Sequence, residues 1–165
     1  MPALAAGVRA PDIKLNFLDG RKFSLQDALK QGPVVAAFFK VSCPICQMAF
    51  PYIERLFKAY GESGKITVLS VSQDNAADTR AFNREFGITM PALLDEKPYP
   101  VSAAYGLTNV PTVFLISAEG EIELSTVSWS KAEMLELNQR LAQLAGTRPA
   151  QLFQPGEQVS DFRPG

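Results

Sequence analysis

Short unbroken apolar runs alternate along this chain with stretches whose apolar residues recur every third and fourth position, and the two rhythms predict its elements. Ile13 to Phe17 alternates, and Leu18-Asp19-Gly20 turns it back into Arg21 to Ser24, because Asp-Gly tolerates positive φ. A small N-terminal β-hairpin is expected. Ser24 can cap a short helix through Lys30, closed by Gly32. Val34-Val35-Ala36-Ala37-Phe38-Phe39 has no polar break, the pattern of a strand buried on both faces. From Ile45, the positions Ala49, Tyr52, Ile53, Leu56, Phe57 and Tyr60 keep helical spacing up to Gly61. Pro51 lies inside that helix and should bend it near Gln47 to Pro51.

Lys65 to Ser72 reads as a second buried strand. Asp74 then reads as the cap of a helix carrying Ala77, Ala81, Phe82 and Phe86, stopped by Gly87. Pro91 to Asp95 predicts a short strand, and Tyr99 to Tyr105 a helical turn or two. Thr112 to Ser117 and Glu121 to Thr126 flank the Glu119-Gly120 turn as antiparallel strands. Ser130-Lys131-Ala132-Glu133 is a capping box ahead of a last helix with Met134, Leu137, Leu141 and Leu144 on one face. Gly146 to Gly165 holds three Pro and three Gly without periodicity. The expected division is a domain over residues 1–145 and an extended, weakly held C-terminal tail over 146–165, dispensable for the chemistry. This order of elements fits an α/β architecture: a mixed central β-sheet flanked by helices on both faces, with an added N-terminal β-hairpin.

Hydrophobic residues make up 47% of the chain and charged residues 20%, enough for a packed core and against disorder. Sixteen Lys and Arg against seventeen Asp and Glu, without a basic block, leave no electrostatic footprint for nucleic acid. The longest apolar run, Val34 to Phe39, falls far short of the roughly 20 residues that span a bilayer, so no membrane span is expected. Met1 to Arg9 shows no basic region ahead of an apolar stretch and does not read as a secretory signal. A cytoplasmic location is therefore expected, an extracytoplasmic one staying open if a leader has been removed. The absence of His excludes His-based acid–base catalysis, His metal ligation and any Cys-His dyad within these residues. Two cysteines exclude a multi-bridge disulfide framework.

Those two cysteines form Cys43-Pro44-Ile45-Cys46, where the buried strand passes into the long helix. Proline at the first helical turn loses nothing there, and a sulfur at the helix start faces unpaired backbone N–H groups. Those donors and the helix dipole favour a thiolate at Cys43 and make it the expected nucleophile. Cys46, one turn further in, should be more buried and placed to resolve a mixed disulfide on Cys43. Competing readings are weaker. A zinc site would lack two good ligands, and a structural disulfide closing so short a loop would constrain little. Two inert buried cysteines are the remaining alternative. No metal or organic cofactor is expected.

With these residues in view, the sequence resembles the thioredoxin-like proteins, in the redoxin branch of TlpA-like thiol-disulfide oxidoreductases and the related AhpC/TSA thiol peroxidases. The resemblance runs from about Ala10 to Gly146. It rests on Ala10-Pro11-Asp12, the Cys43-Pro44-Ile45-Cys46 motif, Pro51, Ser72-Gln73-Asp74, Phe86-Gly87-Ile88, Leu94-Asp95-Glu96 and Tyr105 through Ile116 with its Val110-Pro111-Thr112. It implies a thioredoxin-like fold and a cis peptide at Val110-Pro111 facing the cysteines. It also implies that the Val110 backbone pairs with an extended substrate. The partners implied are a protein or small-molecule disulfide and a reducing or oxidising partner.

Departures from the family pattern are equally specific. Ser42 stands where an aromatic residue often precedes the first cysteine, and Trp129, the sole Trp, is read as a core residue. Ala37 and Ala49 occupy the two positions where relatives place an acid to relay a proton to the buried thiol. Lys40 is a candidate cation beside the thiolate, against the plainer reading of a solvated strand end. Peroxidases of this family need a Ser or Thr three residues before the reacting cysteine and a Pro four before that. Those positions are Cys43 and Phe39 counted from Cys46, and Lys40 and Ala36 counted from Cys43. Thiol-disulfide exchange through Cys43 and Cys46 is the expected function. A thiol peroxidase and a non-enzymatic interaction module are the alternatives.

Overall fold

The computed structural model describes residues 3–165; Met1 and Pro2, the start of the segment read as lacking a secretory signal, lie outside them. Seven strands form one sheet: β1 (Lys14–Phe17), β2 (Lys22–Ser24), β3 (Val34–Phe39), β4 (Thr67–Ser72), β5 (Ala92–Leu94), β6 (Thr112–Ile116) and β7 (Ile122–Val127). They lie in the order β2-β1-β5-β4-β3-β6-β7. The three central strands β5, β4 and β3 run parallel, and the flanking pairs are antiparallel, so the sheet is mixed. Among the described residues five α-helices accompany it: α1 (Leu25–Leu29), α2 (Pro44–Leu56), α3 (Ala76–Phe86), α4 (Pro100–Ala104) and α5 (Lys131–Ala145).

The unbroken apolar run Val34–Phe39 is the middle of this arrangement, and all six of its residues are fully buried. Side chains of a strand point alternately to opposite faces, so the run feeds two cores. Val35, Ala37 and Phe39 join a core built with α2, α3 and α5, whereas Val34, Ala36 and Phe38 join one built with α1 and α4. Gly32, just before β3, has φ +146°, and a Cβ there would lie 2.1 Å from the Lys65 carbonyl oxygen. Only glycine lets the chain pass so close to the start of β4.

α2 runs on through Pro51 and passes at its far end into a π-helical turn at Phe57–Gly61. One local expectation is revised. The cap of α3 is Asn75, whose side chain accepts the Asp78 N–H; Asp74 is released for another task described below. The capping signal of α5 is read correctly, with Ser130 accepting the Glu133 N–H at 3.2 Å and Gly146 closing the helix in the left-handed conformation.

The weak attachment expected of residues 146–165 is also corrected. Asn138, buried on α5, donates to the Ala150 carbonyl at 2.7 Å, and the Ala150 N–H donates to the Tyr60 hydroxyl at 2.8 Å. That hydroxyl donates in turn to Asn138 Oδ1 at 2.5 Å, closing a ring of three bonds. Arg55 donates to the Leu152 carbonyl and, through both terminal nitrogens, to the Glu157 carboxylate, each at 2.7 Å. Trp129 is a core residue, as read, and its indole N–H donates to the Ser160 carbonyl at 2.7 Å. Strand β8 (Trp129–Ser130) then pairs antiparallel with β9 (Phe162–Arg163). Polar side chains from α2, the π turn and α5 satisfy the backbone of a segment that has no periodic pattern of its own.

Candidate active site

β3 ends at Phe39, and Lys40, Val41 and Ser42 carry the chain to Cys43 at the head of α2. Cys43 is the N-cap residue, with extended backbone at φ −83° and ψ 114°, and Pro44 opens the helix without losing a hydrogen bond. The Cys43 sulfur accepts the Cys46 N–H at 3.1 Å, taking up one of the orphan donors of the helix start. On its other side the same sulfur donates to the Val110 carbonyl at 3.5 Å. Val110-Pro111 is cis, as the resemblance implies, and Lys97-Pro98 is cis as well. The structure thus brings Cys43, Cys46, Val110 and Pro111 into one site.

Both cysteines are free thiols, Cys43 half-buried and Cys46 fully buried. Burial, reinforced by its contact with Cys43, pushes the Cys46 thiol far above the ordinary thiol range. Cys46, Ala37 and Ala49 all belong to the same closed core, so no carboxylate stands at either position beside the buried thiol. The one buried acid of α2, Glu54, is occupied elsewhere: it accepts the N–H groups of Thr89 and Met90 and the Thr89 hydroxyl.

The loop before Cys43 is irregular, and its backbone is held by side chains that periodicity does not single out. Asp74 accepts the Val41 N–H at 2.8 Å, and Gln47, from the second turn of α2, donates to the Val41 carbonyl at 2.9 Å. Asp74 is itself fixed through its N–H to Ser72, whose hydroxyl meets Thr79 at 2.7 Å. On the facing loop, Thr112 donates to the Asn109 carbonyl at 2.8 Å. The signal for Asp74 was present in Ser72-Gln73-Asp74, but cap chemistry at Asn75 lies one residue away and the two are indistinguishable by composition.

Residue 165 also reaches this site. Gly165 donates its N–H to Ser128 Oγ at 2.9 Å, and its carbonyl accepts from the Asn109 side chain at 3.0 Å. A Cβ on Gly165 would lie 2.1 Å from the Val110 carbonyl oxygen, so the strand end is in direct contact with the backbone that faces Cys43.

A dithiol motif at a strand-to-helix junction, opposite a cis-proline loop on this mixed sheet, defines a thioredoxin-fold thiol-disulfide oxidoreductase. The chain belongs to the AhpC/TSA family, whose model matches residues 6–125. It is 33% identical to the thioredoxin-like protein YneN of Bacillus subtilis over 78% of this chain and 75% of that one. It is 32% identical to the thiol-disulfide oxidoreductase ResA of Geobacillus thermodenitrificans, over 73% of this chain and 68% of the other. Among solved structures, the thioredoxin domain of a thiol-disulfide oxidoreductase from Bacteroides vulgatus superposes with a TM-score of 0.72 at 25% identity. That match covers 84% of this chain and 98% of that one. The oxidoreductase reading and the redoxin, TlpA-like placement made from sequence both hold. No helix among the described residues is long and apolar enough to cross a membrane.

Proposed function

We propose that the protein exchanges disulfides with a protein substrate, Cys43 attacking and Cys46 resolving. In the reductive direction the Cys43 thiolate attacks one sulfur of the substrate disulfide; a mixed disulfide forms and the other substrate sulfur leaves as a thiolate. Cys46 gives up its proton and attacks the Cys43 sulfur. The Cys43–Cys46 disulfide forms, and the second substrate sulfur leaves as a thiolate that is protonated. Two electrons pass from the dithiol to the substrate, and a thiol reductant regenerates the enzyme. Run backwards, the same steps oxidise a substrate dithiol.

The asymmetry of the two sulfurs carries this assignment. Cys43 is accessible and sits on helix-start donors, whereas Cys46 is enclosed and held in its protonated form at neutral pH. Val110 and Pro111 are assigned to substrate binding because the Val110 carbonyl already touches the Cys43 sulfur, where a substrate backbone must come to present its disulfide. Residues 146–165 form, in this reading, an appendage to a thioredoxin-like domain over 1–145.

Replacing Cys46 with Ser should leave Cys43 able to attack but not to be released, so that mixed disulfides with substrate proteins accumulate. The Cys43→Ser protein should accumulate none. Trapping by the Cys43→Ser protein instead would reverse the assignment. The dithiol protein should also reduce a model protein disulfide faster than it consumes hydrogen peroxide at equal concentration, since no Ser or Thr stands at the peroxide-orienting position.

A further inference from the structure

Val110 borders two things. One is the Cys43 sulfur; the other is a cleft of about 300 Å³ that extends from Val110 to Lys40, walled by Pro98, Tyr99 and Gln73. That volume lies at the lower limit of small-molecule sites and admits one or two side chains. The 162–165 strand end, pressed against the Val110 carbonyl, does not line it, so the cleft is an open flank of the site.

Lys40 supplies the only full charge among the cleft residues. Its ammonium lies 5.9 Å from the centre of the Tyr99 ring, and it takes part in none of the ion pairs among the described residues. The acid behind the cleft does not neutralise it. Asp95 is buried, with its two carboxylate oxygens bonded to the Val101 and Ser102 N–H groups. The remaining polar surface, around Gln73 and Ser102, is neutral and joined by a 2.9 Å hydrogen bond.

The geometry points to a specificity pocket for an acidic side chain of a peptide substrate, one or two residues from the cysteine whose disulfide Cys43 attacks, with Lys40 as its charge partner. An extended peptide advances roughly 3.3 Å per residue and sends alternate side chains to the same face. A peptide that brings its cysteine to Cys43 from the cleft side, away from the 162–165 strand end at the Val110 carbonyl, therefore delivers a near neighbour of that cysteine into the cleft. This rests on the proposed exchange chemistry at Cys43.

The test uses three peptide disulfides identical except for Glu, Gln or Lys two residues from the cysteine, with the wild-type protein and Lys40→Glu. For the wild type, kcat/KM should fall in the order Glu, Gln, Lys, by about three- to fivefold between the charged ends. The difference should be carried by KM and should shrink as salt is raised. The order should invert for Lys40→Glu. An unchanged order in the variant overturns the pocket while leaving the exchange chemistry standing. Glutathione disulfide reduced as fast as the Glu peptide, with the same dependence on Lys40, overturns the peptide assignment. If the wild type reduces none of the peptides, the exchange reading fails, and the pocket is judged by binding alone. Binding to the Cys43→Ser protein should then follow the same order and invert in Cys43→Ser/Lys40→Glu; equal affinities overturn the pocket.

Discussion

Replacing Tyr60 with Phe removes one oxygen and leaves the ring, so the packing of a residue only 2% exposed is kept and no cavity opens. What is lost is the ring of three hydrogen bonds. The Tyr60 hydroxyl donates to Asn138 Oδ1 and accepts the Ala150 N–H; without it, a buried amide oxygen and a part-buried backbone N–H are both left without partners. A stranded buried polar group costs about 1–3 kcal/mol, the buried amide near the upper end and the backbone group near the lower. The loss should total about 2–4 kcal/mol, equivalent to roughly 4–16 °C in Tm for a chain of this size. Trp129 is the only Trp, and it packs on Phe153 at 6.2 Å while bonded to Ser160, so its fluorescence reports the segment directly. Urea unfolding followed by that signal gives the stability change, and hydrogen exchange at residues 150–163 shows whether the segment opens ahead of the domain. Tyr52→Phe is the control: the same atom is lost close by, from a hydroxyl that makes no hydrogen bond among the described residues, and stability should change by less than about 0.5 kcal/mol. Equal effects of the two substitutions would refute the reasoning.

Two pH dependences follow from the same structure with opposite signs. Cys46 is raised by burial, so its neutral thiol contributes fully below the unfolded value of about 8.5, and stability is lost as pH rises beyond it. Denaturant midpoints of the reduced protein should fall from pH 8 to pH 10, and the fall should be smaller in Cys46→Ser. Glu157 is lowered to about 2, chiefly by its hydrogen bonds from Arg55, so its contribution is present above the ordinary carboxylate value near 4.3 and is lost as pH falls through 2. Trp129 emission should report release of the segment over that acid range, and Glu157→Gln should abolish the transition; a transition unchanged in Glu157→Gln would place its origin elsewhere.

Much of the domain was legible because it is written in burial. The run Val34–Phe39 has the pattern of a strand covered on both faces, and Cys43-Pro44 at its end suits the start of a helix in which the first sulfur meets free N–H groups. Asp-Gly at the hairpin, Ser24 and Ser130 as caps, and Gly146 as a helix stop each state a backbone requirement in a single residue. Val110 and Pro111 came from the resemblance alone, since neither spacing nor composition distinguishes that proline from the others.

The rest was hidden because it depends on hydrogen bonds made by irregular backbone. Residues 146–165 have no periodic apolar face, and a reading built on periodicity finds nothing there to attach. Yet an irregular segment that comes to lie on a protein must satisfy each buried N–H and C=O, and the partners can be any polar side chains within reach. Here they are Tyr60, Arg55, Asn138 and Trp129, which the sequence offers only as members of helices or of the core. Asp74 is the same case at the site itself: its type suits a helix cap, while its position serves the Val41 N–H in the loop that carries Cys43. In this fold the chemistry is carried by residues whose order along the chain announces them. The loops around it are fixed by residues whose importance appears only once distant segments have met.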